Sequence, residues 1–560
     1  MNVNLRLRCA NRWGIALIVS VLCFSFGIDV QACTNLIVGK RASVDGSVII
    51  TYSADDYGFY GYLRHYPAGK HAKGTKRKIY DGDTNEYHGE IDEAPETYRV
   101  MGNINEWQVS IGETTFEGRQ ELINKEGIMD YISLMSVGLQ RSKTAREAIR
   151  VMVDVANTYG YNSSGESFTI ADPNEVWVME MIGKGPGQKG VVWVAVRIPD
   201  DCISAHANQS RIRKFDLKDK ENVWYSKDVI SFARQKGYFT GKDADFSFAD
   251  AYNPLDFGAL RFCEARVWSF FNRWVSGMDK YVDYVSGKNG FEGPHMPLYV
   301  KADRKLSVRD VMASMRDHYE GTPFDLNQDA GQGIGCAPYR PTPLTWQYDG
   351  KTYFNERPIS TQQPGFTFVS QLRSWLPREV GGIMWFGNDD ANMIAYTPVY
   401  SGATQVPECY AQATADINTF STKSAFWVCN WVANMVYPRY NVMFPTLAEV
   451  RDALENRFFE EQGKFEAKVV EIAKTSPEKA RLLVSQYTLN AAEIMMTTWN
   501  DLAIRMIVKF NDQAVREEVD GKFIYTEHGL GKRPNRVGLD EATKRTIVET
   551  TGDKFEMPTE

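Results

Sequence analysis

Cys33 stands where one cut in the chain would give it two reactive groups at once. Arg6, Arg8 and Arg12 form a basic start, an apolar run of 16 residues fills 13–28, and Asp29 and Val30-Gln31-Ala32 follow. That order is the plan of a secretory leader: charge, a short apolar stretch, then a small residue before the cleavage point. The run falls short of the ~20 residues of a membrane-spanning helix. Cleavage after Ala32 puts Val30 at −3 and Ala32 at −1, and makes Cys33 the first residue. A thiol and a free α-amine then share one residue. An α-amine has a pKa near ~7.7–8.0 and a thiol near ~8.5, so the amine is able to take the thiol proton, directly or through water. Before the cut that nitrogen is an amide without such basicity, so activity is expected to follow export. Two other readings compete: an incidental thiol, or a lipid-modified cysteine that anchors a non-catalytic binding protein. Against the anchor, Gln31 is large and polar where a lipidation signal has a small residue. The chain also turns apolar at once, in Thr34-Asn35-Leu36-Ile37-Val38-Gly39, instead of running into a polar tether.

The elements that must hold this residue are legible nearby. A strand is expected over 34–39, a turn over 40–46 and a second strand over 47–52, a hairpin with the thiol at its head. Short strands continue to about residue 213, interrupted by helical spacing of Met129, Ile132, Leu134, Met135, Ala148 and Met152, with Thr144 as a cap before Glu147. Strand signals return over 383–400. The spans 447–474 and 477–510 read as helices, the second opened by Ser476-Pro477-Glu478. The expected organisation is a leader at 1–32, one catalytic unit at 33–445, and a helical extension at 446–560 packed on it.

Several segments together resemble the bacterial PepD-type dipeptidase family. They are Cys33 to Lys40 with Ala42-Ser43-Val44-Asp45-Gly46-Ser47; Asn105 to Thr115; Ser164-Gly165-Glu166-Ser167-Phe168 with Glu175 to Glu180; Ala205 to Ile212; and Arg316 to Thr322. The likeness covers most of 33 to about 430. The family comprises N-terminal-nucleophile cysteine peptidases, related to secernins, bile-salt hydrolases and penicillin V acylases. The resemblance implies an α+β fold, a four-layer αββα sandwich, and hydrolysis of the peptide bond in dipeptides. An acylase acting on another small amide is the neighbouring alternative. Asp55 falls at the family's acidic position near the nucleophile, and Asn208 and Arg211 fall on its asparagine segment. One departure stands out: many relatives have an arginine three residues before that aspartate, where this chain has Tyr52.

On this reading the Cys33 amine takes the thiol proton and the sulfur attacks the substrate carbonyl. Asn208 donates to the oxyanion, an interaction whose loss typically costs ~10²–10³ in kcat. Asp55 holds the amine. Arg211 pairs with a substrate carboxylate, and Glu113 binds a substrate ammonium. Each has a plainer reading: Asp55 as a turn cap, Asn208 as a strand-end turn residue, Arg211 in a structural ion pair, Glu113 as a solvated loop carboxylate. The loop 55–62 is rich in rings and glycine and either lines the cleft or packs.

The rest of the sequence excludes more than it adds. Lys and Arg number 64 against 71 Asp and Glu, a net of −7, which argues against nucleic acid as a partner. Loss of the leader would leave 61 basic and 70 acidic side chains, a net of −9. The basic stretch 70–78 is followed by Asp81, Asp83, Glu86, Glu90, Asp92 and Glu93, so it cancels locally. Six cysteines remain after residue 32, none at C-x-x-C spacing, so neither a disulfide framework nor a zinc site is expected. Gly185-Pro186-Gly187-Gln188-Lys189-Gly190 fits a dinucleotide-loop pattern but leads into a strand-like run, so it reads as a hairpin turn. The span 325–336 lacks the glycine and the final glutamate of a calcium loop. No cofactor or metal is called for. The expected partners are small peptides, with no stable membrane insertion after cleavage; a homo-oligomer stays open. The expected location is periplasmic or extracellular.

Overall fold

A computed structural model describes residues 33–287 and 294–558. The leader expected over 1–32 lies outside the described residues. Strands Asn35–Val38 and Val48–Asp55 pair antiparallel, with Ile37 opposite Ile50 and Val38 opposite Ile49. Every residue of both is buried, including the polar Asn35, Thr51, Ser53 and Asp55. They sit inside a seven-stranded antiparallel sheet. Its order is Tyr299–Val300, Ile203–His206, Asn35–Val38, Val48–Asp55, Pro364–Leu372, Gly382–Asn388 and Thr397–Tyr400. The hairpin is thus flanked on each side by strands from far along the chain.

A second antiparallel sheet has eight strands. They run Val223–Tyr225, Val191–Arg197, Val176–Gly183, Gly165–Ala171, Ser110–Glu117, Ile104–Asn105, Val100–Met101 and His65–Tyr66. The glycine-rich 185–190 segment is a hairpin turn in it: Gly183 pairs with Val191, and Gly185, Gly187 and Gly190 all have positive φ. Helices Tyr131–Gln140 and Ala145–Tyr159 pack on this sheet. Ile149, Met152 and Ala156 share a core with Phe168 and Ile170. Their starts are capped: Asp130 accepts from the Ser133 N–H, and Thr144 Oγ1 from the Glu147 N–H at 3.2 Å. The basic stretch forms the hairpin Lys76–Tyr80 with Tyr87–Asp92, in which Lys76 faces Asp92 and Lys78 faces Glu90.

His206 is among the side chains that join the two sheets. His206 ends the strand Ile203–His206, with Thr114 Oγ1 2.7 Å from its Nδ1 and Thr169 Oγ1 2.7 Å from its Nε2. Burial pushes its imidazole down to about 3, so the ring stays neutral and uses one nitrogen as donor and the other as acceptor.

The C-terminal region is helical, as expected, but its first long helix starts earlier than its sequence suggested. Tyr440–Ala473 carries Pro445 near its start and crosses the anticipated boundary at 446; Pro477–Phe510 follows with Ser476 as its cap. Proline ordinarily marks a helix start, which is why the preceding turn was not legible. Leu454, Phe458, Trp499 and Leu502 share one core with strand residues of the first sheet. Arg373, just past Pro364–Leu372, fastens helix to sheet. Its guanidinium donates to Glu466 Oε2 at 2.8 Å and to the carbonyls of Gly381 and Val380 at 2.9 and 2.8 Å. Tyr400 donates to the other oxygen of Glu466 at 2.9 Å. Among the described residues no helix is long and apolar enough to cross a membrane.

Arg373→Met should leave Glu466 and two carbonyls buried without their cation. We expect a loss of about 3–5 kcal/mol in urea unfolding, against well under ~1 kcal/mol for the exposed pair variant Arg457→Met.

Candidate active site

Cys33 lies one residue beyond the ladder of the hairpin. Thr34 and Ser53 exchange both backbone hydrogen bonds, at 3.4 and 3.1 Å, which fixes the direction in which Cys33 leaves the sheet. Its sulfur is buried, 3.8 Å from Glu113 Oε1 and 4.0 Å from Tyr52 Oη, and the backbone N–H of Asp55 also faces it. Glu113 comes from the second sheet, so the thiol sits where the two sheets meet. The approach is close. Asn35 Nδ2 donates to the Glu113 carbonyl at 2.6 Å, and a Cβ on Gly112 would stand 2.2 Å from Asn35 Oδ1. Only glycine fits at 112.

The Tyr52 hydroxyl donates to Glu113 Oε1. The position where many relatives of the resembled family have arginine thus holds a neutral phenol that serves the carboxylate beside the thiol. Glu113 is a buried strand residue, not a solvated loop residue. Next to it is a group that sequence reasoning quoted without assigning. Glu166 stands opposite Thr115 in the neighbouring strand and accepts from its hydroxyl at 2.8 Å. The Glu113 and Glu166 carboxyls are hydrogen-bonded to each other, and their Oε2 atoms have no other partner. Two carboxyls pair this way only when one keeps its proton. Burial pushes Glu113 up to about 7 and holds Glu166, next to that charge, well above the usual carboxylate range. The pair therefore keeps a proton through neutral pH. Burial, followed by the charges of Glu113 and Asp55, also raises the Cys33 thiol well above its ordinary value.

The cations in this region are two arginines, Arg266 and Arg357, to which the sequence reading gave no role. Arg266 is fully buried and uses all five of its N–H groups. Nη1 donates to the Cys33 carbonyl at 2.7 Å and to Thr34 Oγ1 at 2.8 Å. Nη2 donates to Asn208 Oδ1 at 2.9 Å and to the Ala207 carbonyl at 3.2 Å, and Nε to the Phe262 carbonyl at 2.6 Å. It rides on the helix Ala265–Trp274, directly after a π-helical stretch at Ala259–Glu264; such stretches recur at functional sites. A clue existed: an arginine on the apolar stripe of a helix, beside Phe270. Arg357 donates to Asp55 Oδ2 at 2.7 Å. Its carbonyl accepts at 2.7 Å from Tyr319, a buried residue of the 316–322 segment held at φ 65°. Arg357 lies in irregular chain, where nothing in the spacing marks it.

Asp55 ends the strand Val48–Asp55, and its other oxygen accepts from Ser53 Oγ. Burial pushes its carboxyl up to about 6, opposed by Arg357, Ser53 and Arg266. It is the counter-ion of the arginine pair. Asn208 takes a left-handed φ of 60° just past Ile203–His206 and donates Nδ2 to the Thr115 carbonyl at 2.8 Å. Its turn is tied down by Glu180, which accepts from Ser210 Oγ and the N–H groups of Arg211 and Ile212. Cys33, Asp55, Asn208 and Glu113 are thus brought together. Arg211 is not part of this network: its guanidinium donates to Glu264 at 2.7 Å and to the carbonyls of Ala205, Leu298 and Pro297. That geometry is the structural ion pair that was the plainer reading of Arg211. Among the described residues no cluster of three or more potential ligands is arranged to hold a metal.

The profile of peptidase family C69 matches residues 32–452, most of the chain. The chain belongs to that family. It is a hydrolase acting on peptide bonds, of the cysteine type. Among similar proteins, a "probable dipeptidase" of Latilactobacillus sakei is 25% identical over 438 residues, 74% of this chain and 82% of that one. A "probable dipeptidase" of Salmonella dublin is 27% identical over 397 residues, 67% and 82% of the two chains. "Dipeptidase A" of Lactobacillus helveticus is 25% identical over 452 residues, 76% and 85%.

The carboxyl pair makes the stability of this C69 peptidase depend on pH in a definite sense. Glu113 is raised from 4.5 to about 7. Below the lower value the folded and unfolded chains both hold its proton. As pH rises towards the upper value only the unfolded chain releases it, so this contribution to stability is lost. We expect the thermal midpoint of Glu113→Gln to fall less than that of the wild type between pH 4.5 and 7.5. Parallel curves would contradict the assignment.

Proposed function

We propose that this C69 peptidase is an exported dipeptidase whose nucleophile is Cys33, unmasked by removal of residues 1–32. The observation that carries this reading is the setting of the Cys33 sulfur, at the head of a buried hairpin, facing a tyrosine-held carboxylate and anchored by Arg266 through its own carbonyl. Three further facts support it. The leader pattern ends at Ala32, the family match begins at residue 32, and the relatives above are named dipeptidases. Two antiparallel sheets bridged by His206, with helices packed against each, suit the αββα sandwich of N-terminal-nucleophile hydrolases.

The chemistry follows from charge. While Cys33 is still joined to Ala32, burial and two carboxylates keep its thiol protonated. Cleavage adds an amine on the same residue. That amine takes the thiol proton, and the resulting ammonium stabilises the thiolate. The thiolate attacks the substrate carbonyl. Asn208 donates to the developing oxyanion, its side chain positioned by Arg266 at Oδ1 and by the Thr115 carbonyl at Nδ2. The ammonium then protonates the leaving amine, a thioester forms, and water activated by the same amine releases the acid. Glu113 accepts the substrate's α-ammonium. Asp55 neutralises the arginines around the nucleophile and offers its backbone N–H to the sulfur.

Mass spectrometry of the purified, exported protein should give an N-terminus at an unmodified Cys33. Cys33→Ala should lower dipeptide hydrolysis by at least about 10³-fold with the melting midpoint retained. Full activity with residues 1–32 still attached, or an acylated Cys33, would contradict the proposal.

A further inference from the structure

Once Arg211 is committed to Glu264, the site has no cation left from the sequence reading to meet a substrate carboxylate. The structure offers another. A cavity of about 700 Å³ opens between the hairpin Lys76–Tyr80 with Tyr87–Asp92 and the helix Tyr131–Gln140, lined among others by Arg64, Arg77, Tyr80 and Ser136. A much smaller cavity, about 40 Å³, is lined by Tyr52, Tyr62, Arg64, Met135, Ser136 and Phe366. Tyr62, Arg64 and Ser136 line both. The two cavities thus share a wall at Arg64, and the smaller one reaches the ring of Tyr52, whose hydroxyl lies 4.0 Å from the Cys33 sulfur.

Arg64 is half-buried where the two cavities meet. Its guanidinium donates to Tyr62 Oη at 3.2 Å and to the Gly82 carbonyl at 3.3 Å, and lies over the Tyr62 ring at 5.5 Å. Among the described residues no carboxylate comes within ion-pair distance of it. The acidic groups nearest to it are engaged elsewhere. Asp83 accepts from Tyr131 Oη at 3.0 Å, Asp130 caps the helix that starts at Tyr131, and Asp81 accepts from the N–H groups of Asp83 and Thr84. Arg77, the other arginine in the large cavity, bonds to Gln140 Oε1 and does not line the small one. A guanidinium sheltered from water gains most from a bidentate carboxylate, and this one is held by neutral partners alone. On the reading that Cys33 is the nucleophile, we infer that Arg64, in the wall shared by the large cavity and the one that Tyr52 lines, receives a carboxylate of the peptide substrate. The phenol at 52 thus has a second consequence: with no guanidinium there, the anion is read further out.

The test compares three probes on the processed enzyme: alanyl-alanine, its C-terminal amide, and the C-terminal amide of alanyl-aspartate. Wild type should prefer the free acid to its amide by roughly 10- to 100-fold in kcat/KM, the worth of a charge-assisted hydrogen bond. Arg64→Gln should bring that preference close to one, mainly through KM, and Arg64→Lys should keep part of it. If only the aspartyl amide responds to Arg64→Gln, the site stands and its ligand is a side-chain carboxylate. A preference unchanged in Arg64→Gln with the aspartyl amide also unaffected, or all three probes lost in equal measure, overturns the inference, the second because it is what a purely structural arginine would give. Calorimetry of the same probes on Cys33→Ala separates this from the dipeptidase reading. Binding that depends on Arg64 without turnover by the wild type would sink the function and keep the site. Binding of all three probes that is the same with and without Arg64→Gln would sink the site.

Discussion

Everything around the nucleophile depends on one buried guanidinium. Arg266 ties the Cys33 carbonyl and the Thr34 hydroxyl to the Ala207 carbonyl and the Asn208 side chain. It thereby fixes two strand ends whose residues are far apart in sequence. Its own charge must be balanced, and Asp55, shared with Arg357, does so. Removing Asp55 would leave two buried guanidiniums without their anion, the costliest kind of defect in a low-dielectric interior. The same network leaves its sulfur out: the thiol faces the opposite way, towards acid.

That acid comes from the other sheet. Glu113 reaches the thiol because Gly112 lets its strand approach Asn35, and it shares a proton with Glu166 because Thr115 aligns that second carboxyl. Tyr52 replaces a positive neighbour with a neutral donor. Local charge beside the sulfur is therefore negative, and whatever activates the thiol must bring positive charge with it. The α-amine proposed here does that.

Much of this was legible in the sequence. The hairpin under Cys33 was readable because two apolar runs flank a polar turn, the 185–190 turn because a strand follows its glycines, and the helix at 145 because Thr144 precedes Glu147. Cys33, Asp55, Asn208 and Glu113 were all named. The rest was hidden for physical reasons. Arg211 and Arg266 are both buried arginines, and sequence does not say which carbonyls or carboxylates each will meet. Arg357 and Arg64 lie in irregular chain, where no periodicity assigns a face. The Glu113–Glu166 pair exists only through strand register, which no local pattern encodes. Pro445 hid the first turns of its helix by standing where proline ordinarily begins one.

His206 carries a consequence of its own. Its ring bridges the sheets only while uncharged, and burial holds it so down to about pH 3. An unfolded chain takes up that proton near ~6.5, so each further unit of acidification tilts the balance against the native state by about 1.4 kcal/mol. The carboxyls beside the thiol work in the reverse sense and have nothing left to yield once fully protonated. The acid boundary of this protein's existence is therefore set in the seam between its sheets, where His206 stands opposite Asn35.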